Sequence, residues 1–503
     1  MGKTYLQKMK SSVITQKQTI IGGIALILLS NSLAYAQGLH PERRGLGFSH
    51  QYFPQKFLEL KALNQPKETY VKTNLSLLIN QKSVLKHITL SSVMNKLASE
   101  SNDHSLKSSE REANKILFER FLKAFTCNEG DQPCENVHPT VRSLENYKAI
   151  AVVNRFDLAD DKTYKTCGEY RIVFAFFPDQ SNPPGREERL LINFEFELPN
   201  PSPKQETRGC TPITKFWADL SRHYGSQSLD PGISKQLAMK INSFFLNGIP
   251  ISATRTLTPV SIKNANKQGK SGRGQIRINW KKPTGAWVLK EFSFEKEQGR
   301  LALKQRTVKG VPRPEIFKFS ANTTGSQRAR IKKDVQNFAK AVANDMENLS
   351  KSGLNNFSFE IPEDLLAKEN HSSKPDLGDL LYLFNQNSSL NDSLRSAIEG
   401  QIEKNNLKPK LATELIVSRI NALSCAGCHR YAAGTVYELE ADGIKKKRWP
   451  HDTEFVHISE LYADNDTAYR LSPALKMNFL PHRKEVFECH LGFLEKCSKQ
   501  NAK

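Results

Sequence analysis

The chain has 503 residues, of which 38% are hydrophobic and 25% are charged, and its formal net charge is +21. Such a composition excludes an intrinsically disordered chain and one that is embedded in a membrane along its length. Since a single hydrophobic core stops growing near roughly 250 to 300 residues, we expect two or three domains that fold in water.

The first 36 residues have the pattern of a secretory signal. Four lysines and no acidic residue accompany an apolar run from Ile20 to Leu29, and residues 34–36 (Ala-Tyr-Ala) match the small-x-small cleavage pattern. The apolar run is shorter than the ~20 residues of a membrane-spanning helix, although an uncleaved anchor is the alternative. We therefore predict a signal peptide at 1–36, no stable membrane insertion after its cleavage, and a location in the periplasm or outside the cell.

Residues 37–145 are predicted to be mainly helical, and residues 146–308 to form a β-rich antiparallel domain. The second region contains short runs of β-branched and aromatic residues, at 149–154, 169–177, 190–198, 275–280, 286–294 and 301–308. A Pro-Gly loop after the second run and Gln298-Gly299 after the fifth predict two hairpins. Glu169 and Arg171 lie on one face of a strand, where an ion pair is expected.

A linker at 309–325 precedes a predicted helical domain at 326–503. Apolar residues recur every three or four positions in one predicted helix, at Ile331, Val335, Phe338, Val342, Met346 and Leu349. A later helix is predicted to start near Pro409 and to run directly into Cys425. The predicted fold class is therefore α+β, with the β-rich antiparallel domain followed by the helical C-terminal domain.

Several of the eight cysteines are predicted to form disulfides, because an exported chain enters an oxidising compartment. Cys127 and Cys134 bracket a short polar loop that closes easily. Cys167 and Cys210 flank a predicted pair of strands and would close a longer loop, where a cross-link removes more entropy from the unfolded chain.

The pairing of Cys489 and Cys497 stays open. On one straight helix their Cα atoms would be about 12 Å apart, which exceeds the reach of a disulfide. Either the helix breaks near Gly492 or these two cysteines pair otherwise.

The segment from Cys425 to His429 has the spacing Cys-x-x-Cys-His, the attachment signature of c-type haem. A chain of this composition contains such a string by chance only about 0.003 times. Two thiols three residues apart can each add to a different vinyl group of one porphyrin, and the adjacent imidazole then reaches the iron. We therefore predict one covalent haem c attached to Cys425 and Cys428, with His429 as the proximal iron ligand.

Three other kinds of site use the same residue types. A zinc site would add Cys489 and His490 to the two cysteines of the motif. A thioredoxin-like redox pair would need a strand that leads into the motif, whereas a helical pattern leads in here. A structural disulfide is the third alternative, and with zinc or a disulfide the chain would be a non-haem binding protein of the cell envelope.

A helix that ends at haem-binding cysteines resembles the class I cytochromes c, over roughly residues 405–500. That family implies a later helix across the first, expected here at Lys484–Lys496. Three further blocks, at 152–159, 167–171 and 479–483, resemble a group of large exported bacterial proteins with one haem-type motif and no assigned activity. This second resemblance implies no established reaction, but it implies that the β-rich domain and the haem segment belong together. For a monohaem c-type cytochrome we expect one-electron transfer, and whether the protein is also an enzyme stays open.

The second axial ligand of the iron is left open by the sequence. The cytochrome resemblance implies a methionine, and Met477 is the only methionine after the motif, although its Asn/Gly-Met-Pro context is missing. Met477 as an ordinary core residue is the alternative. His457 and His482 are the main alternative ligands, followed by His451 and His490. Ligation by two histidines would give the iron a lower reduction potential than ligation by histidine and methionine. An open position would instead favour ligand sensing or peroxide chemistry.

Basic residues dominate two segments, with seven lysines and arginines and no acidic residue at 262–282, and four more at Lys445–Arg448. A basic rim around a haem edge would attract an acidic redox partner protein, whereas a solvated loop is the alternative explanation. Export argues against nucleic acid as a partner, and the oligomeric state is not determined by the sequence.

Overall fold

The structure is a computed structural model that describes residues 75–101, 103–106, 110–126, 141, 143–159, 163–178, 189–266, 275–281, 287–317, 323–371, 378–386, 388–407, 411–440, 445–450, 457–464 and 467–491. The predicted signal peptide, the predicted Cys127–Cys134 disulfide, Cys497 and His451 lie outside these residues. The described residues all belong to one compact unit.

Helices and strands alternate irregularly along the described chain. The helices are α1 (Lys82–Leu85), α2 (Leu90–Glu100), α3 (Glu110–Thr126), α4 (Thr211–Tyr224), α5 (Pro231–Asn242), α6 (Gly325–Asn344), α7 (Met346–Ser350), α8 (Leu380–Gln386), α9 (Ser388–Lys404), α10 (Thr413–Leu423) and α11 (Leu480–His490). The strands are β1 (Leu78–Ile79), β2 (Tyr147–Arg155), β3 (Thr166–Phe176), β4 (Arg189–Pro199), β5 (Ile249–Ser252), β6 (Arg255–Leu257), β7 (Ile276–Lys281), β8 (Trp287–Glu297), β9 (Arg300–Arg306), β10 (Glu369–His371), β11 (Val436–Leu439), β12 (Lys446–Arg448), β13 (Ile458–Asp464) and β14 (Ala468–Leu471).

One large antiparallel sheet organises the described residues. Its strand order is β1-β2-β3-β4-β7-β8, and both β9 and β10 pair with the outer edge of β8. All six predicted runs are strands of this sheet, so the predicted β-rich antiparallel region is confirmed. Strands β1 and β10 lie outside residues 146–308, so the chain before and after this region also supplies edge strands of the sheet. The predicted domain boundaries remain predictions.

Local features predicted from the sequence hold this sheet together. Both predicted hairpins are present as antiparallel pairs, β3 with β4 and β8 with β9. Gln298 and Gly299 have φ of 51° and 77°, the left-handed values that a two-residue hairpin turn requires. The predicted disulfide Cys167–Cys210 is confirmed, with its Cα atoms 5.5 Å apart.

One face of the sheet is apolar and is covered by helices α3 and α4. The aromatic side chains of α3 pack edge-on or tilted against the strands, with ring centroids 5.0 to 6.0 Å apart: Phe118 on Tyr147, Phe121 on Phe194, and Phe125 on Trp280. Trp217 of α4 stacks on Tyr170 and is fully buried. This face supplies most of the main hydrophobic core.

The opposite face of the sheet is charged, and we call it the charged face. Because side chains alternate along a strand, the charged residues of neighbouring strands meet on this one side. The register pairs Arg155 with Glu169, Arg171 with Glu195, and Arg277 with Glu291. The expected ion pair between Glu169 and Arg171 is present. These charges are largely shielded from solvent because segments from the C-terminal part of the chain cover them.

A second hydrophobic core lies in the C-terminal part of the chain, between α6, α8, α9 and α10. Thr324 and Gln327 form a capping box at the start of α6. The predicted apolar stripe is buried from Val335 through Leu349, with Ile331 partly buried. Helix α10 begins at Thr413, four residues after the predicted start, and residues 408–410 lie outside the described part.

The prediction that residues 326–503 are helical is wrong between 436 and 471. Two two-stranded sheets, β11 with β12 and β13 with β14, occupy this stretch. Their strands are only three to seven residues long, so neither an alternating nor a helical period is visible in the sequence. Arg189 of β4 and Glu460 of β13 form a buried two-point ion pair, at 2.5 and 2.9 Å, which joins one of these sheets to the large sheet.

Helix α11 packs on the large sheet. Its Phe487 and His490 rings lie 5.9 and 4.5 Å from the ring of Phe156, which follows β2. The cytochrome resemblance implies that this helix packs across α10. Helix α11 does not do so, because it covers the end of β2 instead. In the described residues no helix is both long and apolar enough to cross a membrane. The observed fold class is α+β.

Candidate functional site

Helix α10 delivers the motif to a short second helix. At Ser424 the backbone is extended, with φ −80° and ψ 157°, and this ends α10. The Ser424 hydroxyl donates to the carbonyl of Asn421 at 2.8 Å and accepts the amide N–H of Gly427 at 3.0 Å. Ser424 thus acts as the N-cap of the turn that carries Cys425 and Cys428, which places both thiols on one rigid segment.

Gly427 lies between the two cysteines because no larger residue fits. A Cβ at this position would lie far inside the 3.0 Å that real Cβ atoms keep from other heavy atoms, and it would meet the carbonyl oxygen of Asn421. Asn421 is itself fixed, because its side chain donates to Asp379 at 3.1 Å and accepts the amide N–H of Leu380 at 3.0 Å. Gly427 therefore packs against the backbone carbonyl of a residue that hydrogen bonds hold in place.

Cys425 and Cys428 are present as thiols. Cys425 is partly buried against the main core, and burial raises the pKa of its thiol to about 12, with Arg277 acting in the opposite direction. A redox-active or metal-binding cysteine has a lowered pKa, because the thiolate is the reactive form. The raised pKa and the helix before the motif both argue against the thioredoxin-like alternative.

His429 and His457 lie side by side. Their ring centroids are 4.3 Å apart, with a 41° angle between the rings. Nδ1 of His457 lies 3.1 Å from the hydroxyl of Ser472, which also accepts the amide N–H of Leu475 at 3.1 Å. This hydrogen bond fixes the orientation of the His457 ring, as outer hydrogen bonds commonly do for histidines that bind metals.

The other predicted ligands lie in different surroundings. The Met477 side chain is 58% exposed, so its alternative role as a core residue is wrong. His482 and His490 are on α11, and burial lowers the pKa of both, to about 4 for His490. Of the predicted distal ligands that the structure describes, His457 is the one whose ring contacts that of His429.

The zinc alternative loses one of its ligands. Cys489 is disulfide-bonded. A half-cystine cannot act as a thiolate ligand. Within the part of the chain that the structure describes, no group of three or more His, Cys, Asp or Glu side chains is arranged to hold a metal ion.

Trp449 closes one side of the motif, which the sequence did not indicate. Its indole N–H donates to the carbonyl of Cys428 at 3.2 Å, and its ring packs 6.4 Å from that of Phe479. Phe479 in turn lies 5.5 Å from the His457 ring. The aromatic residues therefore surround His457 and the second cysteine with apolar surface.

The two predicted basic segments differ in their surroundings. Lys446 and Arg448 are exposed on β12, next to Trp449 and therefore next to the motif. Arg277 from the other segment is not a rim residue, because it lies in ion pairs with Glu195 at 3.3 Å and Glu291 at 2.8 Å. Much of that segment, residues 267–274 and 282, lies outside the described residues.

The charged face lies beside the motif and was missed as part of the site. The charges of Arg277, Glu291 and Glu195 all act on the Cys425 thiol, which places these groups near it. Burial raises the pKa of Glu195 to about 7, although Arg171 and Arg277 act to lower it. Charged and apolar residues alternate within the predicted strands, and this alternation could have predicted a charged face of the sheet. It could not have predicted which segment covers that face.

Comparison of the chain with family models, curated proteins and solved structures finds no match. The fold and the site together define an α+β protein in which a capped helical turn carries two thiols and a histidine, with the first thiol beside the charged face of an antiparallel sheet. The function therefore has to follow from the chemistry of these groups.

Proposed function

We propose that the protein binds one haem c through thioether bonds to Cys425 and Cys428, with His429 as the proximal iron ligand, and that it transfers single electrons. The observation that carries the proposal is the pair of thiols on one capped helical turn, followed directly by a histidine. The donor set fits the group, because haem c needs two thiols for its vinyl groups and an imidazole for its iron.

His457 is proposed as the second axial ligand, ahead of Met477 and His482. Its ring already contacts His429, and Ser472 holds its Nδ1. With haem present, His429 and His457 would each offer a ring nitrogen to the iron.

The residues around the motif would position the haem and exclude water from it. Bound haem supplies an iron that changes its charge by one electron without changing the protein covalently. Trp449 and Phe479 present apolar surface beside His457, and the buried Ser424 cap keeps the cysteines in place. An apolar, rigid surrounding reduces the reorganisation that accompanies electron transfer.

The likeness to class I cytochromes c is proposed for the helix and motif alone. Helix α10 runs into the cysteines as that family implies, whereas α11 packs on Phe156 of the sheet region. Export to the periplasm or beyond the cell stays part of the proposal, because covalent haem attachment and the Cys167–Cys210 disulfide both suit that compartment.

We expect the purified protein, matured in a bacterial host that assembles c-type cytochromes, to stain for peroxidase activity after denaturing electrophoresis. Only covalent haem survives denaturation, so the Cys425→Ala/Cys428→Ala double variant should lose the stain completely. Each single variant should keep a haem with one thioether bond and a shifted α band. His429→Ala should keep covalent haem but lose the spectrum of a six-coordinate iron.

His223→Ala serves as the matched control, since His223 is an exposed residue of α4. It should leave stain and spectrum unchanged. A colourless protein with the mass of the bare processed polypeptide would rule out the haem proposal and leave the alternative of a non-haem envelope binding protein.

An acidic redox partner protein is proposed to approach over β12. Lys445, Lys446 and Arg448 are exposed there, close to the motif through Trp449. We expect the rate at which hexacyanoferrate, a small anion, oxidises the reduced protein to fall as ionic strength rises, because salt screens the attraction. Lys446→Glu with Arg448→Glu should lower the rate at low salt and flatten its salt dependence. A rate that does not depend on salt in the wild-type protein would contradict steering.

A further inference from the structure

Four arginines lie where the charged face meets the C-terminal part of the chain, and we call them the arginine row: Arg155, Arg171, Arg277 and Arg483. Their side chains are 11 to 19% exposed. The carboxylates that pair with them from the sheet, those of Glu169, Glu195 and Glu291, are at most 3% exposed. The carboxylates are therefore more deeply buried than the guanidinium groups, which keep part of their surface accessible to solvent.

Arg483 has the weakest ion pair of the row. In the described part of the chain its recorded carboxylate partner is Asp157, at 3.9 Å from Nε. Asp157 is already held at two points by Arg155, at 2.9 Å from both Nε and Nη2. One carboxylate thus serves two guanidinium groups. A guanidinium carries five N–H donors in a planar fork, so that of Arg483 can take a further anion.

We propose that the arginine row binds an oxyanion, a carboxylate or a group of similar shape, beside the turn that carries Cys425. Guanidinium groups recognise such anions through paired N–H bonds, and they do so most strongly where water is excluded. The raised pKa of Glu195 supports this assignment, because a partly protonated Glu195 at neutral pH leaves the row with excess positive charge. The site stands on the positions of the arginines and does not require that haem be present.

Two sources could supply the oxyanion. One is a propionate of the proposed haem itself, and this source rests on the proposed function. The other is a free small anion that acts as substrate or effector next to the redox centre. Both present the same carboxylate-like oxygens to the row, so binding measurements and redox measurements have to separate them.

The first arm titrates acetate and inorganic phosphate into the purified protein in chloride buffer, followed by calorimetry. A free-anion site should give saturable binding of one anion, and Arg483→Gln should weaken it by about tenfold, as expected for a hydrogen-bonded charged group. Arg483→Lys keeps the charge but not the fork and should weaken it by less. Arg222→Gln, at an arginine of α4 whose side chain is 62% exposed, should leave binding unchanged.

The second arm measures the midpoint potential of the haem protein against pH. If the anion is a propionate, neither probe binds, and the pH dependence of the potential shifts to higher pH in Arg483→Gln but not in Arg222→Gln. Unaltered thermal midpoints of the variants exclude misfolding. If neither probe binds and the pH dependence is the same in all variants, the oxyanion site is refuted. In a protein without haem, failure of both probes to bind refutes it alone.

Discussion

Replacing Gly427 by alanine is expected to unfold the motif turn and to cost about 3 kcal/mol or more of stability, at the upper end of what overpacking usually costs. The added Cβ would have to occupy the position of the Asn421 carbonyl, which cannot move freely because Asp379 and Leu380 hold the Asn421 side chain. We expect the variant to lose haem attachment as well, since the two thiols would no longer share one rigid turn. The midpoint of denaturant unfolding and the denaturing gel stain measure the two effects.

Gly400→Ala is the matched control for this substitution. Gly400 lies inside helix α9, and an added Cβ there meets nothing within 4 Å. Alanine in an exposed helix interior should stabilise by about 0.5 to 1 kcal/mol relative to glycine. Equal midpoints for the two variants would show that the packing at the motif differs from the one described.

Arg419→Met is expected to destabilise the protein by about 3 to 5 kcal/mol, because it removes a buried charged donor from three carbonyls and from one buried ion pair. Arg419 is completely buried in α10 and donates to the carbonyls of Leu349, Lys351 and Tyr437 at 2.6 to 2.9 Å. It also pairs with the buried Glu438 at 3.1 Å. In the variant the three carbonyls would lose the donor that Arg419 provides, and Glu438 would keep Lys447, at 2.9 Å, as its ionic partner.

Arg395→Met provides the comparison for Arg419→Met. Arg395 of α9 is 31% exposed and pairs with Glu414, which is 57% exposed. Exposed ion pairs contribute about 0 to 1 kcal/mol, so a small change is expected. Unfolding midpoints of the two variants give the difference directly. If Arg419→Met is as stable as Arg395→Met, the hydrogen bonds assigned to Arg419 do not form in solution.

The large sheet could be predicted because its strands carry a strong local signal. Long runs such as β3 and β4 combine β-branched and aromatic residues. Gln298-Gly299 adopts the positive φ values of a two-residue hairpin turn, which a glycine favours. The small strands β11 to β14 could not be predicted, because three to seven residues show no reliable period. Tertiary contacts such as Arg189 with Glu460 stabilise one of these small sheets, and a local pattern does not contain them.

The sequence predicted the cysteines and the histidine of the candidate site but not the residues that surround them. Cys425, Cys428 and His429 were found because their spacing is itself the signal. The neighbourhood of His457 depends on how β13, Ser472 and Phe479 fold back onto the motif, and such contacts are distant in sequence. The packing of Arg483 against Asp157 joins residues more than three hundred positions apart.

The covered charged face also limits how the gene can be divided. A fragment that ends at residue 308 would keep Arg189 inside the sheet but lack Glu460, and it would lack the edge strand β10. Replacing either part by an unrelated domain would leave buried charges such as that of Arg189 without their partners. The sheet and the segment that carries the cysteine motif are thus expected to evolve together, as a single inheritable unit.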